Sequence, residues 1–155
     1  MHLSYPNKPG SLDRLESDLA DFASRKGLGA KVHSALQLCL DEALSNVIAH
    51  GYAPGESQTI ELELEIDANG VTATLTDSGK AFDPLREASV GHSMRAVQDS
   101  DADESANDAG MGVFLMRRML DELHYVRQDG RNVLRLHKRF ERTRNASTPK
   151  KVASR

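Results

Sequence analysis

Three short groups of residues follow one another with spacings that chemistry could use: Glu42-x-x-x-Asn46, Asp77-x-Gly79-x-x-Phe82-Asp83-Pro84, and Gly110-x-Gly112. Residues four apart on a helix stand one above the other, so Glu42, Asn46 and His50 form a polar column. An amide oxygen is a hard ligand that suits Mg2+. A carboxylate one turn away can orient or deprotonate an attacking hydroxyl or water. Asp77 closes a run with alternating apolar residues. There it can accept a hydrogen bond from the exocyclic amine of adenine, and Gly79 lets the backbone approach the ring. Gly110-Met111-Gly112 precedes an apolar run with helical spacing, and the free N–H groups of a helix start favour phosphate. A base, a metal-binding amide, a base-reading carboxylate and a phosphate cradle are the parts of a Mg-ATP site.

Each motif alone also fits a plainer use. Glu-x-x-x-Asn can be a solvated helix face, Asp-x-Gly a strand-end turn, and Gly-x-Gly a hinge before a core helix. The weight lies in the ordered triple and in Phe82-Asp83-Pro84, since a turn rarely needs a buried aromatic before Asp-Pro. The dinucleotide fingerprint is absent, because Leu115 holds the place of its third glycine, and there is no Walker A sequence.

The elements that must position these residues are legible in the periodicities. Met1 to Tyr5 reads as a short strand, closed by Pro6 and Pro9. Ser11 reads as the N-cap of a helix to about Lys26, with Leu12, Leu15, Leu19 and Phe22 on one face. A second helix spans about Lys31 to His50, with Val32, Leu36, Cys39, Leu40, Ala43 and Val47 as its apolar stripe. Gln58 to Ile66 alternates: Ile60, Leu62, Leu64 and Ile66 face one way, and Glu61, Glu63 and Glu65 the other. Asn69-Gly70 turns the chain into a return strand from Val71 to Thr76. The segment from Phe82 to about Ala109 reads as an irregular, acidic loop. A third helix is expected from about Met111 to Glu122. A final hairpin, His124 to Gln128 and Asn132 to Arg139, folds about Asp129-Gly130. The order predicts a two-layer α/β sandwich: a mixed, mostly antiparallel sheet with helices on one face.

Composition fits this picture. A length of 155 residues is one ordinary domain. A net charge of −3 gives no reason to expect nucleic-acid binding. No apolar run reaches the ~20 residues of a membrane span, and the N-terminus has no leader pattern, so a cytoplasmic protein is expected. Cys39 is the one cysteine and lies in an apolar stripe, so it reads as a core residue. The histidines show no zinc-ligand spacing. His50 reads as a helix C-terminal residue, and Arg117-Arg118 as a solvated face.

The motif order resembles a known family. Leu40-Asp41-Glu42-Ala43-Leu44-Ser45-Asn46-Val47-Ile48-Ala49-His50-Gly51-Tyr52 is similar to the N box of the GHKL (Bergerat-fold) ATPases, in the version of the anti-sigma-factor serine/threonine kinases of the RsbW and SpoIIAB type. Asp77-Ser78-Gly79-Lys80-Ala81-Phe82-Asp83-Pro84 resembles their G1 box, and Gly110-Met111-Gly112-Val113-Phe114-Leu115-Met116-Arg117-Arg118-Met119-Leu120-Asp121-Glu122 their G2 box. The resemblance covers about residues 1–140, leaving 141–155 as a polar tail. It implies ATP and Mg2+ as cofactors. Asn46 would hold the metal and Glu42 would act as the base. Asp77 would read adenine beside Gly79 and Phe82. Gly110, Met111 and Gly112 would contact phosphates, with Leu85 to Ala109 as the lid. It further implies a dimeric kinase that phosphorylates a STAS-domain anti-sigma-factor antagonist, and so controls a sigma factor or other regulatory target in transcription. Asp108 departs from the pattern, standing where many relatives carry glycine. That departure keeps a second reading open: a non-catalytic module that binds ATP and sequesters a regulator.

Overall fold

The computed structural model describes residues 1–83 and 105–141, of which 105–111 by their backbone alone. Along the chain the elements are β1 (His2–Pro6), α1 (Gly10–Lys26), α2 (Ala30–His50), β2 (Thr59–Ile66), β3 (Gly70–Asp77), α3 (Ser105–Met119), β4 (Glu122–Gln128) and β5 (Arg131–Arg139). The strands form one sheet in the order β1-β2-β3-β5-β4. All four pairings are antiparallel, so the sheet expected to be mixed has no parallel pair among the described residues.

The alternation in β2 and β3 sets the layers. Leu62 stands opposite Leu3 and Leu75, and Ala73 opposite Leu64 and Leu136. These side chains, Leu3 only partly, are buried beneath Leu15, Leu19 and Phe22 of α1 and Leu36, Leu40 and Leu44 of α2. The opposite face of β2 carries Glu61, Glu63 and Glu65 towards solvent. Ile66, expected to share the buried face, is 38% exposed because it lies at the strand end. Cys39 is buried, and burial pushes its thiol up to about 12, which makes it a packing group and not a nucleophile. Tyr5 is fully buried and donates its hydroxyl to Asp18 Oδ2 at 2.9 Å, which ties β1 to α1.

Three boundaries differ from expectation. Ser11 lies inside α1, which Pro9 caps. The Ser11 hydroxyl donates to the Pro6 carbonyl at 2.6 Å, so it closes the β1–α1 turn in place of capping. The helix expected from Met111 to Glu122 is α3: it begins at Ser105 and ends at Met119, and β4 already starts at Glu122. Residues 105–109, expected in the loop, are therefore helical, and Gly110-Met111-Gly112 lies within the helix and not at its start. Asp108 stands in the first turn of α3, where the positive end of the helix dipole favours an acidic residue. The rest of the expected lid, and the tail beyond Glu141, lie outside the described residues.

Among the described residues no helix is long and apolar enough to cross a membrane.

Candidate active site

The end of α2, the end of β3 and the start of β5 meet around one pocket. Its polar lining includes Asn46, His50, Asp77, Lys80 and Asn132. Its apolar lining includes Val47, Leu75, Phe82, Met116 and Leu134. A larger open groove lies elsewhere, among Lys31, Thr72, Arg118 and His137, and holds none of Glu42, Asn46, Asp77, Gly79 and Gly112.

Helical spacing delivers the first pair. Asn46 Nδ2 donates to Glu42 Oε1 at 3.0 Å, one turn apart on α2. The amide nitrogen is thereby engaged. The Asn46 oxygen and Glu42 Oε2 have no partner among the described residues. Glu42 also touches the third motif: a Cβ built on Gly112 would lie 1.9 Å from Glu42 Oε1 and 2.5 Å from its Cγ. Gly112 is therefore the place where α3 passes directly over the carboxylate. A side chain there would have to displace the Glu42 carboxylate, which is what a glycine avoids.

β3 delivers the second group. Asp77 is 4% exposed and Asn132, its cross-strand partner on β5, is 6% exposed. Buried polar groups need partners, and these two satisfy one another. Asp77 Oδ1 accepts from Gly79 N at 2.7 Å and from Asn132 Nδ2 at 2.9 Å. Asn132 Nδ2 also donates to the Lys80 carbonyl at 2.9 Å. Asn132 Oδ1 accepts from Tyr125 Oη at 2.8 Å and from Arg127 Nη1 at 2.7 Å. Asp77 Oδ2 keeps no partner among the described residues. The sequence pattern did not single out Asn132, Tyr125 or Arg127. The available signal was parity: Asn132 shares the inward face of β5 with Leu134 and Leu136, where an amide is out of place without a role.

The two groups are stapled together at the pocket wall. Lys80 N donates to the Gly51 carbonyl at 2.8 Å, and Ser78 N donates to the Tyr52 hydroxyl at 3.2 Å. Burial, and then the nearby Asp77 carboxylate, hold the Tyr52 phenol above its ordinary pKa. A Cβ on Gly79 would lie 2.6 Å from the Gly51 carbonyl oxygen. Gly79→Ala must therefore push two backbone segments apart, at about 1–3 kcal/mol. We expect thermal melting to fall by several degrees. An unchanged melt would mean that the two turns separate freely.

These observations meet what an adenine nucleotide needs. A buried carboxylate offers one free acceptor oxygen beside apolar walls. An amide oxygen without a partner among the described residues lines the same pocket, and a carboxylate lies next to it. Of the expected residues, Asn46, Asp77 and Phe82 line the pocket. Glu42 and Gly79 adjoin it through their bonds to Asn46 and Asp77. Gly112 reaches it through Glu42. Gly110 and Met111 are placed only as backbone within α3.

The comparisons agree with this geometry. Residues 5–138 match the model of the histidine kinase-like ATPase domain. The serine/threonine-protein kinase BtrW of Bordetella bronchiseptica is 35% identical over 118 residues, 76% of this chain and 78% of that protein. The serine-protein kinase RsbW of Listeria innocua is 24% identical over 133 residues, 85% of this chain and 82% of that protein. Among solved structures, a Mycobacterium tuberculosis protein with RsbU and RsbW domains superposes with a TM-score of 0.60 at 16% identity, over 90% of this chain and 32% of that one. The SiaB–SiaC complex of Pseudomonas aeruginosa gives 0.54 at 15% identity, over 90% of this chain and 89% of that one. The structural likenesses carry the fold, and the sequence matches carry the family. A pocket built from an N-box helix, an Asp-x-Gly strand end and a glycine-bearing helix, in a chain with these relatives, belongs to the histidine kinase-like ATPase domain family, among its RsbW-type and BtrW-type serine/threonine-protein kinases.

Proposed function

We propose that this chain transfers the γ-phosphoryl group of ATP to a serine or threonine of a STAS-domain anti-sigma-factor antagonist, and releases a held sigma factor or other regulator as that partner's phosphorylation changes. The observation that carries the reading is the Glu42–Asn46 pair, set against the same pocket as Asp77. Kinase relatives at 35% and 24% identity support it.

Each residue has one task. Asp77 Oδ2 would accept a hydrogen bond from the adenine amine, and Leu75, Phe82 and Met116, which line the same pocket, would exclude water around the ring. The Asn46 amide oxygen would hold Mg2+, since its nitrogen is already committed to Glu42. Gly110, Met111 and Gly112 would lie along the phosphates. Bound Mg-ATP supplies the transferable phosphoryl group and neutralises charge on it. Glu42 Oε2 would take the proton from the acceptor hydroxyl as its oxygen bonds to the γ-phosphorus and the bridging P–O bond breaks to release ADP. The reading includes a cytoplasmic homodimer acting in transcriptional control, with residues 1–140 as the kinase domain.

The test is phosphosite mass spectrometry on cell lysate incubated with the full chain and Mg-ATP. We expect a small protein newly phosphorylated on serine or threonine. A partner that is captured but never phosphorylated would overturn the kinase reading in favour of a sequestering module.

A further inference from the structure

Glu42 stands at a junction on α2. One turn towards the end of the helix, Asn46 opens into the nucleotide pocket. One turn the other way stands Leu38, which is 44% exposed. A single exposed leucine needs no explanation, but this one has company. Gly112 of α3 meets Glu42, whereas Met119 shares the large open groove with Val32 and Ala35 of α2. α3 therefore runs antiparallel to α2. That direction sets Leu115, one turn past Gly112, level with Leu38, and Leu115 is 37% exposed. Neither leucine lines the nucleotide pocket. One turn further along α3, Arg118 stacks over the Phe114 ring at 5.7 Å and pairs with no carboxylate among the described residues. The two helices thus carry three features in line: the Glu42 carboxylate, an apolar pair and an uncompensated cation.

We propose that Leu38 and Leu115 select the protein substrate, taking an apolar side chain beside its acceptor serine or threonine, while Arg118 takes a carboxylate farther along the same segment. The inference rests on the kinase reading above and deepens it. The acceptor hydroxyl has to reach Glu42 to give up its proton. On the Asn46 side of Glu42 the way is held by the nucleotide, so the acceptor's flanking residues lie on the other side, where the leucines stand. An apolar side chain seated there removes two exposed leucines from water. A carboxylate beyond it meets a guanidinium whose charge nothing else balances, and that fixes the direction in which the segment lies.

The experiment uses the small protein that the lysate incubation finds phosphorylated, purified in its unphosphorylated form. Steady-state transfer from Mg-ATP is measured with the full chain as wild type, as Leu38→Ser with Leu115→Ser, and as Arg118→Glu. Each replaced side chain is exposed, so the fold should hold, and a thermal melt checks it. We expect the double variant to raise KM for the protein substrate at least about tenfold, with kcat and the affinity for ATP nearly unchanged. Arg118→Glu should raise the same KM severalfold and spare ATP. Replacing the apolar residue beside the mapped acceptor by serine should raise KM for the wild type, and the double variant should then add little more, as a shared contact requires. An unchanged KM in the double variant would overturn the inference and leave the kinase reading intact. ATP affinity falling in step with transfer would overturn it too, by giving the leucines to the nucleotide site. So would an unchanged KM with an altered sedimentation of the chain itself, which would give this face to a second copy. A wild type that phosphorylates no protein in the lysate would overturn the kinase reading, and this inference with it.

Discussion

Glu42→Gln is expected to cut phosphoryl transfer by roughly 10²–10⁴-fold, the usual contribution of a general base, while nucleotide affinity stays nearly unchanged. The substitution separates shape from chemistry. A glutamine oxygen can still accept the Asn46 Nδ2 hydrogen bond that now measures 3.0 Å. A glutamine side chain also keeps the contact beneath Gly112. What it loses is the second carboxylate oxygen, which takes the proton. Single-turnover transfer to the unphosphorylated partner that the phosphosite mapping identifies, alongside titration with ATP, checks both halves. Transfer at the wild-type rate would remove Glu42 from the chemistry and leave it as a packing residue under α3. Equal loss of affinity and rate would mean that Glu42 holds the nucleotide site together and is not its base.

Local periodicity carries most of the architecture, and the site divides along the same line. Glu42 and Asn46 were legible because a helix converts a spacing of four into a contact with no help from the rest of the chain. Asp77 was legible because alternation in β3 marks where the strand ends. Asn132 was not, because its meeting with Asp77 depends on β5 pairing with β3 across an intervening helix and strand. No local pattern encodes that order. The start of α3 was misplaced for a related reason. Glycines read locally as helix breakers, but Gly112 stands where a Cβ would meet the Glu42 side chain, a tertiary contact that no local pattern shows. A better signal lay just upstream, where Ser105-Ala106-Asn107-Asp108 has the residue types of a helix start.

Asp77→Asn should weaken ATP binding by about 100-fold or more, because it exchanges a charge-assisted hydrogen bond for a clash of two donors. The inner half of the side chain decides which way the new amide points. Gly79 N at 2.7 Å and Asn132 Nδ2 at 2.9 Å are both donors, so the asparagine oxygen must take the Oδ1 position. Its NH2 group is then forced into the Oδ2 position, facing the pocket. An adenine amine meets a donor there, whereas a 6-oxo purine meets a partner. The variant should therefore bind inosine triphosphate in preference to ATP. Because both inner hydrogen bonds survive, melting of the unliganded protein should change little. That separates the outcome from simple unfolding. The reversal also distinguishes a committed acceptor from a merely negative pocket: removing a charge alone would raise affinity for both anionic nucleotides together. If ATP affinity survives in Asp77→Asn, Asp77 does not read the base, and its burial beside Asn132 serves the joint between β3 and β5 alone.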